Sequence, residues 1–256
     1  MNESYLNAVA EVATLAGDFA MTHYRESLDV VLKQDGSPVT VADRGAEQLA
    51  RSWIEERFPD DGILGEEFGD TRPDAKRRWI IDPIDGTKSF IRRVPLWGTL
   101  IAVAEGDTVL AGCAYFPVID EIVVAALGEG CFWNGAPCSV SSQNAITRST
   151  VLVTDDRFPN TVNRASAWRT LASQADVVRT WGDCYGYLLV ATGRADVMLD
   201  DIVAPWDAAA LYPIVTEAGG VFTDWRGNPT PFGDDVIATN ATLAASVRQI
   251  LIPPSS

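Results

Sequence analysis

The sequence contains a single histidine, His23, among its 256 residues. This scarcity argues against catalysis by paired histidines and against metal sites built from imidazole ligands. His23 falls near the C-terminus of the first predicted helix, where a positive charge is favourable to the helix dipole, and a structural role is the preferred interpretation. Oxygen ligands, above all carboxylates, are the groups that remain abundant.

Cysteines and long apolar runs are also scarce. The four cysteines form no C-x-x-C pair and no zinc spacing, so we expect reduced thiols at Cys113, Cys131, Cys138 and Cys184. No apolar run reaches the roughly 18 residues that a membrane-spanning helix needs. The first residues lack the pattern of a signal peptide, and we therefore expect a cytoplasmic protein without a membrane partner.

Positive charge is in short supply, since 20 Lys and Arg oppose 35 Asp and Glu, for a net charge of -15. This balance argues against nucleic acid or an anionic membrane as the main partner. If the substrate is an anion, bound metal would have to offset the repulsion. A hydrophobic content of 47% with 21% charged residues is typical of a globular protein with a sizeable core.

The most informative stretch is Trp-Ile-Ile-Asp-Pro-Ile-Asp-Gly-Thr at residues 79–87. Its apolar, β-branched start predicts a buried strand, which ends in Asp82 and Asp85. Pro83 constrains the turn so that both acids can face one side. Hard divalent cations prefer oxygen ligands, and the N–H groups of a helix that starts after Gly86 can bind phosphate. The stretch predicts a metal-dependent phosphomonoesterase.

Two further acids could join this site, although each has a simpler explanation. Asp207 opens a predicted helix and could only complement its dipole. Asp43 completes the capping box that Thr40 begins. The residues alone leave ligand and cap open at both positions. The candidate metal ligands are Glu66, Asp82, the Ile84 carbonyl, Asp85 and Asp207.

Apolar periodicity predicts sheet layers covered by helices. The helices are expected over residues 5–25, 41–58, 163–175, 184–192, 204–218 and 241–250. A meander of antiparallel strands is expected over 98–104, 108–115, 121–126 and 130–133, before strands and helices alternate. We predict a single phosphatase domain, 1–256, with metal and phosphate motifs in subdomain 1–145 and substrate specificity in subdomain 146–256. Residues 68–78 could form a mobile active-site loop or an ordinary connection.

Residues 182–186, Gly-Asp-Cys-Tyr-Gly, imitate a nucleophile elbow with cysteine in place of serine. No histidine follows in the sequence to act as the general base. We therefore do not expect Cys184 to be a nucleophile.

Three motifs occur together, in order: Gly65-Glu66-Glu67, then residues 82–87, then Pro205-Trp206-Asp207 with Ala218-Gly219-Gly220. They resemble the inositol monophosphatase family of magnesium-dependent, lithium-sensitive phosphatases, and the match spans most of the chain. The resemblance implies an αβαβα sandwich of the α/β class, a homodimer, and two or three Mg²⁺ ions per site. The implied substrate is a small-molecule phosphate ester.

The resemblance also implies roles for individual residues. Asp43 and Thr87 would position and activate the attacking water, with Glu66 as a further catalytic group, and Gly86 and Thr87 would bind the phosphate. Asp43 would then be both a cap and a catalytic group. Lys33 occupies a position where the family often has a lysine near the metal. The metal ligands would be Glu66, Asp82, the Ile84 carbonyl, Asp85 and Asp207.

Residues 179–187 and 193–200 resemble the histidinol-phosphate phosphatase branch. Inositol-type members usually carry Gly-Ser-Ala in the first segment and a glutamate where Asp200 stands. Histidinol phosphate carries an ammonium and an imidazole, which carboxylates and aromatic rings can bind. Asp183 and Asp200 are the expected partners of these two groups. The expected substrate-binding residues are Arg179, Asp183, Tyr185 and Asp200.

The expected reaction is hydrolysis of L-histidinol phosphate to L-histidinol and phosphate, a step of histidine biosynthesis, by in-line attack of metal-activated water. One alternative is an inositol-1-monophosphatase or a broader sugar or nucleotide phosphatase. A second is an inactive relative that only binds phosphate compounds. The presence of every acid expected of an active member favours the enzyme.

Overall fold

The computed structural model describes residues 4–25, 30–32, 38–158 and 162–252. Lys33 lies outside these ranges. The helices are α1 (Tyr5–His23), α2 (Val41–Arg57), α3 (Thr87–Phe90), α4 (Val162–Ala172), α5 (Asp183–Ala191), α6 (Pro205–Ala208), α7 (Leu211–Glu217) and α8 (Ala244–Leu251). No helix in the described ranges is long and apolar enough to cross a membrane.

The strands form a small pair and two larger sheets. The first ten are β1 (Val31–Leu32), β2 (Pro38–Val39), β3 (Gly62–Gly65), β4 (Gly69–Thr71), β5 (Arg77–Asp85), β6 (Gly98–Glu105), β7 (Thr108–Phe116), β8 (Glu121–Ala126), β9 (Gly130–Trp133) and β10 (Ala136–Pro137). The remaining five are β11 (Thr150–Val153), β12 (Val177–Arg179), β13 (Val197–Asp200), β14 (Gly220–Thr223) and β15 (Val236–Asn240).

The first large sheet has eight strands in the order β10-β9-β8-β7-β6-β5-β3-β4. The predicted antiparallel meander from β6 to β9 is confirmed. Strands β3 and β5 pair in parallel, with Gly65 opposite Ile81. Because parallel strands end at the same edge of a sheet, Glu66 and Asp82 follow these two residues at one edge.

The second large sheet has five strands in the order β12-β11-β13-β15-β14. Its β11 and β13 are parallel, with Val153 opposite Leu199. The next residue along each strand is Thr154 and Asp200, so these two side chains lie at the same sheet edge.

Helices and sheets alternate in layers, as predicted. Helices α1 and α2 cover one face of the first sheet, α5 and α7 lie between the sheets, and α4 and α8 cover the outer face of the second. Successive side chains of a strand point to opposite faces, and in β5 Trp79 and Ile81 enter the α1–α2 core while Ile80 enters the core between the sheets. Both faces of the strand that carries the acidic motif are therefore buried, which fixes its position.

One predicted helix was wrong. The single helix expected over 204–218 is two helices, α6 and α7, because Pro213 lacks an N–H donor and is tolerated only in the first turn of a helix. Strand β5 ends in the two acids, as predicted: its last residue is Asp85, and its pairing is irregular between Asp82 and Asp85. That irregularity interrupts the regular alternation of side chains just where the two acids occur.

Candidate active site

Three carboxylates meet where β5 ends and α6 begins. Oxygen atoms of Asp82, Asp85 and Asp207 all lie within 4.8 Å of one another. Two come from the end of β5, and the third comes from the first turn of α6. Such a group of oxygen ligands from separate segments suits a hard divalent cation.

A backbone N–H orients each of the three carboxylates. The N–H of Ile84 donates to Asp82 Oδ1 at 3.0 Å, and the N–H of Ala204 donates to Asp207 Oδ2 at 2.7 Å. Asp85 Oδ2 accepts the N–H of Cys184, at the start of α5. We call Asp82, Asp85 and Asp207 the acidic group. Asp207 therefore belongs to this group and caps its own helix as well.

The carboxylates disfavour each other's charge. Burial raises the pKa of Asp82 well above its ordinary value, and the charges of Glu66, Asp85 and Asp207 raise it further. Burial, followed by the charge of Asp183, does the same for Asp85. The pKa of Asp207 is raised to about 6, again chiefly by burial. A bound cation would relieve this repulsion, so the donor set fits a divalent metal.

Asp43 has a buried oxygen to spare. The predicted capping box is confirmed, since Asp43 Oδ2 accepts both the N–H of Thr40, at 2.7 Å, and its hydroxyl, at 2.6 Å. Asp43 Oδ1 is buried and has no hydrogen-bond partner among the described residues. Burial raises the pKa of Asp43, and the nearby charge of Glu66 adds to the effect. A buried acceptor without a partner is costly, which indicates that a ligand or water completes the site.

Glu66 stands beside this group, although it is not one of the three acids whose oxygens lie within 4.8 Å of one another. Its charge acts on Asp82 and on Asp43. The segment that carries it is anchored by Glu47 of α2, a residue that the sequence did not single out. Glu47 accepts the N–H of Glu67 at 2.7 Å and the N–H of Phe68 at 3.2 Å.

Residues 68–78, described above as a loop or a connection, contain β4, which pairs with β3. Arg51 donates to the Gly69 carbonyl and, at 2.9 Å, to the Thr71 hydroxyl. Arg51 in turn forms a buried ion pair with Glu47 at 2.7 Å. The first part of the segment is thus held against α2 by a buried charge network.

The turn after β5 requires glycine. Gly86 has φ 85, and a Cβ there would lie 2.9 Å from the Leu96 carbonyl oxygen. The Thr87 hydroxyl donates to the Ile84 carbonyl at 3.0 Å, so its oxygen retains lone pairs for another donor. The first N–H groups of a helix have no partner within the helix, and those of Gly86 and Thr87 precede the first internal bonds of α3.

A cavity opens next to the acidic group. Asp85 and Asp207 of that group line it, together with two further carboxylates, Asp183 and Asp200. The other lining residues are Thr154, Cys184, Tyr187, Ile202, Val203 and Leu211. Four carboxylates facing one cavity make it strongly favourable to positive charge.

The two additional acids are held firmly. Asp200 accepts a hydrogen bond from the Tyr187 hydroxyl at 2.6 Å, and its carbonyl accepts the indole N–H of Trp225 at 3.1 Å. Burial raises the pKa of Asp200 to about 7. Asp183 has φ 50, an uncommon conformation for a residue other than glycine, and burial raises its pKa too.

Arg179 and Tyr185, the other two expected substrate-binding residues, do not line this cavity. The Arg179 guanidinium donates to the Val178 carbonyl at 2.7 Å and lies over the Trp181 ring. Tyr185 packs against the core between the sheets, where its ring meets Phe116 edge-on at 5.9 Å. Helical geometry explains why Tyr185 does not reach the cavity. It is two residues from Asp183 and therefore faces another side of α5.

The sequence did not identify Tyr187 or Thr154. Tyr187 lies four residues after Asp183, a spacing that places both on one face of a helix and could have identified it. Thr154 follows an ordinary apolar strand, and only the pairing of β11 with β13 brings it to Asp200. Cys184 is buried, and burial followed by the charge of Asp85 raises its pKa well above the ordinary value, which disfavours the nucleophilic thiolate.

Comparison with known proteins agrees with this geometry. The model of the inositol monophosphatase family matches residues 1–251. A histidinol-phosphatase from Chlorobaculum parvum is 43% identical over 94% of each chain, and inositol monophosphatase 1 from Homo sapiens is 34% identical over 95% of this chain and 92% of its own. The structure of the extragenic suppressor protein suhB from Bartonella henselae superimposes with a TM-score of 0.92 at 28% identity, covering 99% of this chain and 100% of that one. The chain therefore belongs to the inositol monophosphatase family and is a phosphatase.

Proposed function

We propose that this phosphatase hydrolyses L-histidinol phosphate to L-histidinol and phosphate. The observation that carries the proposal is the pair Asp183 and Asp200, which face the cavity beside the acidic group. A phosphate ester whose alcohol bears an ammonium and an imidazole offers two cationic or hydrogen-bonding groups to such a pair. An uncharged polyol would leave the two buried carboxylates without a cation.

The similarity to a histidinol-phosphatase supports the same substrate. That relative is more similar to this chain than the inositol monophosphatase described above, at 43% against 34% identity. Because the second protein still shares a third of its residues, identity alone does not select the substrate. The charge of the cavity is the stronger reason.

We propose Mg²⁺ as the metal, with two or three ions per site. Glu66, Asp82, the Ile84 carbonyl, Asp85 and Asp207 would hold them, and the orphan oxygen of Asp43 lies near Glu66 to complete the polar surroundings. When bound, such ions polarise the phosphate, lower the pKa of water and neutralise the leaving oxygen. Acidic side chains that raise one another's pKa are the environment in which bound cations are most favourable.

The chain itself would orient the reactants. The N–H groups of Gly86 and Thr87 would donate to phosphate oxygens at the start of α3. Asp43 Oδ1 would accept the proton of the attacking water, and the Thr87 oxygen, whose own hydrogen is donated to Ile84, would accept a second hydrogen bond from that water. Holding water in line with the ester bond lowers the entropic barrier to attack.

A panel of phosphate esters tests the substrate. With magnesium present, phosphate release from L-histidinol phosphate should exceed release from myo-inositol 1-phosphate, adenosine 3′-phosphate and fructose 1,6-bisphosphate by a wide margin in kcat/KM. Asp200→Asn should lower kcat/KM for L-histidinol phosphate more than it lowers kcat/KM for myo-inositol 1-phosphate. Faster hydrolysis of any other ester would overturn the substrate assignment. Binding of these esters without phosphate release would indicate a regulatory protein instead.

We further propose that the chain is cytoplasmic and forms a homodimer. The family resemblance supports the dimer, and light scattering of the purified protein would test it.

A single domain over 1–256 predicts one cooperative unfolding transition, with subdomains 1–145 and 146–256 unfolding together. Two separated calorimetric transitions would contradict that organisation.

A further inference from the structure

Thr154 joins the two acids of the cavity. Its hydroxyl oxygen accepts the backbone N–H of Asp183 at 2.8 Å. The Thr154 hydroxyl also lies beside the Asp200 carboxylate, because the pairing of β11 with β13 brings both residues to one sheet edge and both line the cavity. Together with the Tyr187 hydroxyl, which donates to Asp200 at 2.6 Å, it favours the charged form of Asp200 against the effect of burial on its pKa. A hydroxyl can accept one hydrogen bond and donate another, so Thr154 can make both contacts at once.

The backbone on the other side of this contact is fitted to Thr154. A Cβ on Gly182 would lie 2.3 Å from the Thr154 Cα and 2.5 Å from its Oγ1, so only glycine allows the approach. The next residue, Asp183, is held at φ 50, a conformation that costs free energy outside glycine. Strain of this kind persists only where neighbouring contacts maintain it, and the Thr154 hydroxyl is one of those contacts.

Consecutive N–H groups extend the connection to the metal ligands. The N–H of Asp183 donates to Thr154, and the N–H of Cys184 donates to Asp85 of the acidic group. The start of α5 is thus fixed at two adjacent points. Movement at Thr154 would shift Asp183 relative to both Asp200 and the acidic group.

We propose that Thr154 is a positioning residue for substrate selectivity, whose hydroxyl sets the separation of Asp183 and Asp200 so that both can contact a cationic leaving alcohol. The identity of that alcohol rests on the proposed function. The positioning role rests on the contacts of Thr154 alone. Thr154 itself takes no part in the reaction with water.

Thr154→Val and Thr154→Ser provide the test, since valine keeps the shape and removes the hydroxyl, whereas serine keeps the hydroxyl. Thr154→Val should raise KM for L-histidinol phosphate by roughly tenfold or more, the loss expected for one hydrogen bond to a charged group. The effect should fall on KM more than on kcat and should be smaller for p-nitrophenyl phosphate, whose alcohol carries no cation. Thr154→Ser should recover most of the affinity.

Thr239→Val is the matched control. Thr239 is a buried threonine of β15 whose hydroxyl has no hydrogen-bond partner among the described residues, and it does not line the cavity. The control should leave KM for both esters as in the wild type. Equal losses on the two esters in Thr154→Val, or no rescue by serine, would overturn the positioning role.

The amide signal of Asp183 separates this proposal from the proposed function. In ¹⁵N-labelled protein it should shift in Thr154→Val and remain near its wild-type position in Thr154→Ser. If the wild type hydrolyses p-nitrophenyl phosphate better than L-histidinol phosphate, the proposed function fails, and the Asp183 signal still decides the positioning role. An unchanged signal in Thr154→Val would overturn it.

Discussion

The backbone N–H of Cys184 donates to the carboxylate of Asp85 across the boundary between the two sheets. Asp85 ends strand β5 of the first sheet, whereas Cys184 lies in the first turn of α5, whose chain runs on into the second sheet. The sequence separation is 99 residues. A member of the acidic group is therefore oriented by the segment that also carries Asp183, so the geometry of the acidic group and the shape of the cavity are linked through this contact.

Substitution of Gly182 should disturb both. In Gly182→Ala the new Cβ meets the Thr154 backbone at 2.3 Å, so the start of α5 must move and the Cys184–Asp85 bond weakens. We expect stability to fall by about 1–3 kcal/mol, as for other overpacked sites. Magnesium affinity, measured by calorimetry, should fall roughly 10–100-fold, as when other outer partners of metal ligands are lost.

Gly106→Ala is the control for this experiment. Gly106 lies in the turn between β6 and β7 with φ 58, and a Cβ there meets no atom within 4 Å. Its alanine should cost about 1 kcal/mol of backbone strain and leave magnesium affinity unchanged. Equal metal affinities in the two variants would show that the Cys184–Asp85 contact does not orient a ligand.

Asp82→Asn tests the metal assignment directly. The substitution removes one charge from a group whose members raise one another's pKa, so turnover should be abolished and metal affinity greatly reduced. The metal-free variant should be at least as stable as the wild type, because a buried charge and its repulsion are gone. Thermal unfolding with and without a chelator measures stability and the effect of bound metal, and phosphate release measures turnover. Activity close to that of the wild type would refute the role of Asp82.

Stability of the metal-free protein should fall as pH rises from about 4 to about 7, partly because of Asp200. The pKa of Asp200 is raised to about 7 in the folded state, mainly by burial, against an unfolded value of about 3.9. The folded state therefore binds this proton more tightly, and its contribution, fully present below the unfolded pKa, is lost as pH rises through the folded one. Urea unfolding in chelator from pH 4 to pH 8 measures the slope.

Asp200→Asn should flatten that slope, because asparagine does not titrate and can still accept the Tyr187 hydroxyl. The remaining slope reports the other buried acids, among them Asp207, whose pKa is raised to about 6. An identical pH dependence in the variant and the wild type would mean that Asp200 does not bind its proton more tightly in the folded state.

Local patterns predicted the layered fold and the acidic motif because both depend on neighbours in sequence. The apolar alternation of β6–β9 and the capping box of α2 are local, and both are present in the structure. The break between α6 and α7 could also have been predicted from local sequence, because Pro213 has no N–H to donate within a continuous helix. Local sequence was therefore sufficient to predict those strands and helix ends whose conformation depends only on residues close to them in the chain.

Contacts between distant strands could not be predicted in the same way. Thr154 reaches Asp200 only through the register of β11 against β13, and nothing in the neighbourhood of either residue encodes that register. Tyr185 was expected at the cavity because it is close to Asp183 in sequence, yet its position on α5 directs it into the core. The face of α5 on which a residue lies, and not its distance from Asp183 in the sequence, determines whether it reaches the cavity.

The buried pair Glu47–Arg51 should be among the most sensitive positions outside the cavity. Glu47 is fully buried and accepts the N–H groups of Glu67 and Phe68, in addition to Arg51 Nε. Glu47→Ala leaves the Arg51 guanidinium buried without its carboxylate, which should cost about 3–5 kcal/mol in urea unfolding. Because the same carboxylate anchors the residues next to Glu66, magnesium affinity should fall as well.

Arg78→Ala is the matched comparison, since Arg78 of β5 pairs with Asp70 of β4 at 3.0 Å, but both side chains are about one-third exposed. Solvent screens such a pair, so its loss should cost about 1 kcal/mol or less and leave magnesium binding intact. If Glu47→Ala costs no more than Arg78→Ala, the buried network does not hold the segment. If it costs stability without weakening magnesium binding, Glu66 keeps its position without Glu47, and the anchor serves the fold alone.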